Sequence, residues 1–159
     1  MLTANDIALI RANFARLAPI QHTFAALFYE HLFAVSPQLR ALFPADLREQ
    51  KRKLMQMIST AVGGLDDLDA LVPAVKALGA RHCGYGVTKE HYLLVGEALL
   101  WTLALALGRD FTPEARSAWA KVYQVLAATM QAGAAEAGSH ALPAEEVVVD
   151  LAAEAAPPR

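Results

Sequence analysis

His82 and Gln50 are the two residues of this 159-residue chain whose type and setting could do chemistry. His82 lies in the run DALVPAVKALGARHCGYGVT at residues 69–88. There Pro73 suits a first helical turn, Val75 and Leu78 share the histidine's face, and Gly84 and Gly86 supply the stop. Gln50 is the polar exception on a face of Leu47, Leu54, Met57, Ile58 and Ala61. An imidazole on an apolar stripe must find partners for both ring nitrogens. Two readings compete: a packed core histidine satisfied by backbone, or a metal ligand. As a ligand it would bind through a neutral nitrogen and give its other N–H to an acceptor, most simply the carbonyl one turn earlier, near Leu78.

Two helices that each carry one polar side chain on an apolar face suit a flat apolar cofactor with a metal at its centre. The imidazole would take one face of that metal and leave the other open. Such a cofactor is haem. Phe28, Tyr29 and Phe43 come from the preceding segment and would supply aromatic walls. No Cys-x-x-Cys-His run is present, so haem would be held non-covalently. His22, His31, His91 and His140 make no compact ligand pattern with Cys83. Cys83 directly follows the candidate ligand, which on a helix turns its side chain about 100° away.

The elements that must position these residues are helices. Thr3 and Asp6 resemble a cap, and Ile7, Ile10, Phe14 and Leu17 follow at helical spacing until Pro19. The segment IQHTFAALFYEHLFAV carries Phe24, Leu27, Phe28, Leu32 and Phe33 on a broad apolar face beside Tyr29. Ser36-Pro37 reads as N-cap and first residue of a short turn through Leu39 and Leu42 to Phe43. The Gln50 helix runs from Asp46 to Gly63-Gly64, with Arg48, Glu49, Lys51 and Arg52 off its apolar face. An acidic link of Asp66, Asp67 and Asp69 leads to the histidine helix. Thr88 caps a long helix through Tyr92, Val95, Leu99, Leu100 and Leu103 to Gly108. Thr112-Pro113-Glu114 opens the last, with Trp119, Val122, Tyr123, Leu126 and Met130 facing a core. No alternating pattern or fixed-period repeat appears, so the fold class is all-α. Residues 1–136 form the domain, and 137–159, rich in Ala, Gly, Glu and Pro, read as a flexible tail in which Val147, Val148 and Val149 could dock or aid association.

Composition narrows the partners. The length is that of one domain with a core of its own. A net charge of −2 with scattered basic residues excludes a nucleic-acid stripe. The longest apolar run, residues 98–107, is about half of the roughly 20 residues a membrane span needs. The first ten residues carry no export signal, and a lone cysteine excludes an intrachain disulfide, so a cytoplasmic setting is expected.

Over residues 3–130 the chain resembles the globin family, in particular single-domain bacterial haemoglobins and the globin domain of flavohaemoglobins, and it is also similar to neuroglobins. The residues that carry this are Phe28-Tyr29, His31-Leu32-Phe33, Leu42-Phe43, QKRKLM at 50–55, LGARHCGYGV at 78–87, HYLLVGEALL and AWAKVY. The resemblance implies a globin fold around haem b. It makes His82 the proximal iron ligand, Phe43 the ring stacked on the porphyrin, and Tyr29, Gln50 and Leu54 the distal pocket. Lys53 and Arg81 become partners of the haem propionates or else solvated charges, and Tyr92 a tyrosine near the proximal histidine that either tunes it or simply packs.

The implied activity is reversible binding of O2, CO and NO, for storage, delivery or sensing. Bound oxygen gains negative charge, so O–H from Tyr29 and N–H from Gln50 would stabilise it. Such bonds contribute about 1.5 to 3 kcal/mol each, roughly tenfold to a hundredfold in affinity. The alternative is nitric oxide dioxygenation with a separate reductase, and a third reading is a cofactor-free interaction module. Three departures from the relatives stand out. Gln50 occupies the position where neuroglobins carry a second histidine, the reductase of flavohaemoglobins does not follow, and Ala134 stands where those proteins have a glutamate near the proximal histidine.

Overall fold

A computed structural model describes residues 2–84 and 87–137, and among them the secondary structure is helical throughout, without a strand. The chain forms α1 (Ala4–Leu17), α2 (Gln21–Val35), α3 (Arg48–Gly63), α4 (Val72–Gly84), α5 (Lys89–Leu107) and α6 (Pro113–Ala137). This matches the all-α expectation. The expected tail begins at Ala137, which still belongs to α6, and residues 138–159 lie outside the described residues, as does Gly86 of the expected stop after α4.

Local chemistry sets the boundaries. Thr3 Oγ1 accepts the Asp6 amide at 3.0 Å while Asp6 Oδ2 accepts the Thr3 amide at 2.9 Å, a reciprocal box that opens α1. Pro19 then forces a 3-10 turn, Ala18–Ile20, before α2. Asp46 Oδ1 accepts the Arg48 amide at 3.0 Å and starts α3 there. Thr112 Oγ1 does the same for Ala115 at 3.1 Å at the head of α6. One expected cap fails. Ser36 precedes the 3-10 helix Pro37–Leu42 but its side chain caps no amide, because the hydroxyl accepts the Gln38 side-chain amide at 2.7 Å instead. The acidic link also contains a 3-10 helix, Leu68–Leu71.

α6 is the spine: α4 and α1 both lie on it, while α2 packs against α3 and α5. Ile10, Leu17, Phe24, Leu32 and Leu103 fill the centre with almost no exposure, each contributing roughly 1.5 to 3 kcal/mol by burial. Trp119 Nε1 donates to Asn13 Oδ1 at 3.1 Å, and Asn13 Nδ2 donates to the Asp110 carbonyl at 3.2 Å. That relay ties α6, α1 and the turn after α5 together with every polar atom in it bonded. Residues 89–110 are long and apolar enough to cross a membrane by length and composition. In this fold the helix is a packing element, with Ala98, Thr102, Leu103 and Leu107 buried and Thr102 Oγ1 donating to the Ala98 carbonyl at 2.7 Å.

Candidate functional site

Tyr29 projects from the buried face of α2, where Phe24, Ala25, Phe28 and Leu32 also turn inward. Aromatic rings fix it. Phe28 meets it edge-on at 5.0 Å and Phe43 at 5.6 Å, Phe33 lies tilted to it at 5.9 Å, and Phe33 and Phe43 meet each other at 5.2 Å. Gln50, in the first turn of α3, is 2% exposed, and its Nε2 donates to Tyr29 Oη at 3.1 Å. Its Oε1 is buried with no partner. Burial pushes the Tyr29 hydroxyl far above the ordinary phenol range, and the Gln50 hydrogen bond offsets only part of that. The phenol therefore stays neutral and keeps its proton as a donor.

Beside this pair opens a cavity of about 190 Å³. Its walls are almost wholly apolar: Tyr29, Phe43 and Leu54 on one side, Val75 and Leu78 from α4, Tyr92, Val95 and Leu99 from α5, and Leu126 and Met130 from α6. Tyr92, Val95 and Leu99 are half-buried and line this cavity. The Tyr92 carbonyl accepts the Tyr123 hydroxyl at 2.5 Å, and burial raises the Tyr123 phenol pKa as well.

The structure thus brings Tyr29, Gln50, Phe43, Leu54 and Tyr92 together. His82 lies in α4, the helix that contributes Val75 and Leu78 to the wall, but its side chain is outside the described part of the structure. Gln50, Lys53 and Arg81 are not among the wall residues. Lys53 is nevertheless 9% exposed, so it is no ordinary solvated charge, whereas Arg81 is half-buried. Ala134 is half-buried on α6. Among the described residues no cluster of His, Cys, Asp and Glu could hold a metal ion. His31 is instead stacked on Trp101, centroids 3.7 Å apart and rings 3° from parallel.

Wall residues beyond those expected at the site include His91, Tyr123 and Trp119. His91 Nδ1 accepts the Thr88 amide at 3.0 Å, which places the ring proton on Nε2. The Thr88-x-x-His91 spacing is a capping signal, and it could have turned this side chain inward on paper.

The globin family profile matches residues 26–130, from α2 through most of α6. The chain belongs to the globin family. Neuroglobin of Tetraodon nigroviridis is 31% identical over 151 residues, covering 86% of this chain and 95% of that protein. Neuroglobin-2 of Oncorhynchus mykiss is 31% identical over 153 residues, 87% of this chain and 96% of its own. A flavohemoprotein of Bacillus subtilis is 31% identical over 130 residues, which is 80% of this chain and 33% of that longer protein.

Globins hold haem and bind diatomic gases with it, so the cavity can be tested against that cofactor. The residues present fit: the walls are aliphatic and aromatic, as a porphyrin plane requires. Gln50 Oε1, buried beside Tyr29 without a hydrogen-bond partner, leaves a polar acceptor unsatisfied next to that cavity.

Proposed function

We propose that this globin holds haem b non-covalently between α3 and α4 and binds oxygen and related diatomic gases reversibly. In this reading His82 would hold the haem iron, Phe43 would lie against the porphyrin, and Tyr29, Gln50 and Leu54 would line the ligand side. Haem would supply the iron that binds the gas. The observation that carries the reading is the buried 3.1 Å bond from Gln50 to Tyr29. By accepting from Gln50, the phenol oxygen is held in place, and the neutral O–H remains to be donated to a ligand that gains negative charge. Leu54 and Phe43 keep water from competing for that donor. In this reading Lys53 and Arg81 are assigned to the haem carboxylates.

Absorption spectra of the purified protein in ferric, reduced, oxygenated and CO-exposed forms test this, alongside His82→Ala. A Soret band that shifts with each ligand and is altered by the substitution is expected. No band after haem is added would overturn it.

A second reading is nitric oxide dioxygenation, in which oxygen and nitric oxide are consumed to nitrate and one electron per turnover comes from a separate reductase. The match to one third of a flavohemoprotein favours it, and the Tyr29 donor suits either role. Sustained nitric oxide consumption that depends on an added reductase would establish it, while a single turnover with or without the reductase would leave the gas-binding role alone.

A further inference from the structure

We propose that Gly79 and Gly133 form a backbone seat between α4 and α6 that sets how far the His82-bearing helix stands from the cavity, and thereby how tightly a ligand is held. This rests on His82 as the haem ligand. A Cβ on Gly79 would lie 1.8 Å from the Met130 carbonyl oxygen, and one on Gly133 would lie 2.1 Å from that of Lys76. Ordinary contact begins at 3.4 Å, so neither position has room for a methyl group. The obstacle in both cases is backbone, which cannot swing aside as a side chain can.

The two contacts are reciprocal: the glycine of each helix sits on the main chain of the other. Among the described residues the positive-φ glycine is Gly108, so conformational freedom does not explain glycine at 79 or 133. Glycine is also a poorer helix former than alanine. Close approach is what these glycines provide, and α4 with α6 is the most extensive helix contact of the fold. Lys76 Nζ pairs with Glu136 Oε1 at 2.9 Å across the same junction.

The seat matters because both helices wall the cavity, with Val75 and Leu78 from one and Leu126 and Met130 from the other. His82 follows Gly79 by about one helical turn. A methyl group in the seat must drive α4 off α6 by more than 1 Å, the scale at which a misplaced functional group loses effectiveness. The helix delivers that displacement to His82.

The test uses the ferrous haem-loaded protein. Gly79→Ala and Gly133→Ala are expected to shift the iron–histidine stretching band in resonance Raman and to change the oxygen-release rate about fivefold or more, a change of about one kcal/mol. Gly63→Ala, where a Cβ meets nothing within 4 Å, should do neither. In a His82→Gly protein supplied with free imidazole the ligand is no longer tethered to α4, so adding Gly79→Ala should leave the band unmoved. Should Gly79→Ala fail to fold, Gly133→Ala, with its longer 2.1 Å clash, carries the same comparison. An unshifted band in the tethered variants, or an equal shift in the untethered one, would overturn the proposal. Failure of the haem reading looks different: the unsubstituted protein then shows no such band.

Discussion

Gln50 Nε2 donates to Tyr29 Oη at 3.1 Å, so the amide that the sequence suggested as a direct ligand donor is directed at the tyrosine. In the proposed reading the two residues have unequal roles: the phenol would donate to the ligand and the amide would hold the phenol. Tyr29→Phe is expected to speed oxygen release by about tenfold to a hundredfold, the scale of one hydrogen bond to a charged acceptor. Gln50→Leu removes only the positioning bond, and about tenfold or less is expected. Stopped-flow release rates decide this, and equal effects of the two substitutions would refute the division of roles.

The same burial makes a prediction at high pH. The Tyr29 and Tyr123 hydroxyls are both raised above the ordinary phenol value by desolvation. A group raised in the folded state contributes stability below its unfolded pKa and loses it as pH climbs towards the folded value. Unfolding free energy of the apoprotein should thus fall above about pH 10, by about 1.4 kcal/mol per pH unit for each tyrosine. Tyr29→Phe and Tyr123→Phe should each flatten the decline in urea unfolding measured between pH 9 and 11. A slope unchanged by both would contradict the burial argument.

The Asn13 relay is structural and should separate stability from ligand binding. Asn13→Leu leaves the buried Trp119 N–H without an acceptor, at a cost of about 1 to 3 kcal/mol. A melting temperature lower by about 2 to 4 °C per kcal/mol is expected, with oxygen-release kinetics unchanged. A large kinetic effect would mean that Trp119 acts on the site through the cavity it also lines.

Much of this was legible because the decisive residues break a pattern. Tyr29 and Gln50 are polar groups on apolar helical faces, and periodicity alone brings those faces inward. What periodicity cannot convey is direction: which of the pair donates depends on which end of the Gln50 amide faces the phenol. Lys53 shares the face of Gln50 and Leu54, yet between Arg52 and Leu54 its type reads as a snorkelling surface charge, and only the packed helix reveals its burial. The seat of Gly79 and Gly133 left no local mark, because a glycine inside a helix looks like a weak helix position until a second backbone is placed against it.

Lys53 supports the last prediction. Its side chain is on the inward face of α3 with 9% exposure, and it contributes to lowering the Glu49 carboxyl below its usual range, behind the larger effect of the Arg52 hydrogen bond. A lysine with so little exposed surface is best accommodated with an anion beside its ammonium, and an exposed Glu49 shared with Arg52 is a weak one. A carboxylate of bound haem would complete the pairing. Lys53→Met should therefore lose haem to an apoglobin scavenger about tenfold faster, the scale of one charged hydrogen bond. With haem whose carboxylates are esterified, the substitution should make no difference. Equal acceleration with both cofactors would show that Lys53 matters through packing, and no acceleration with either would remove it from the cofactor site.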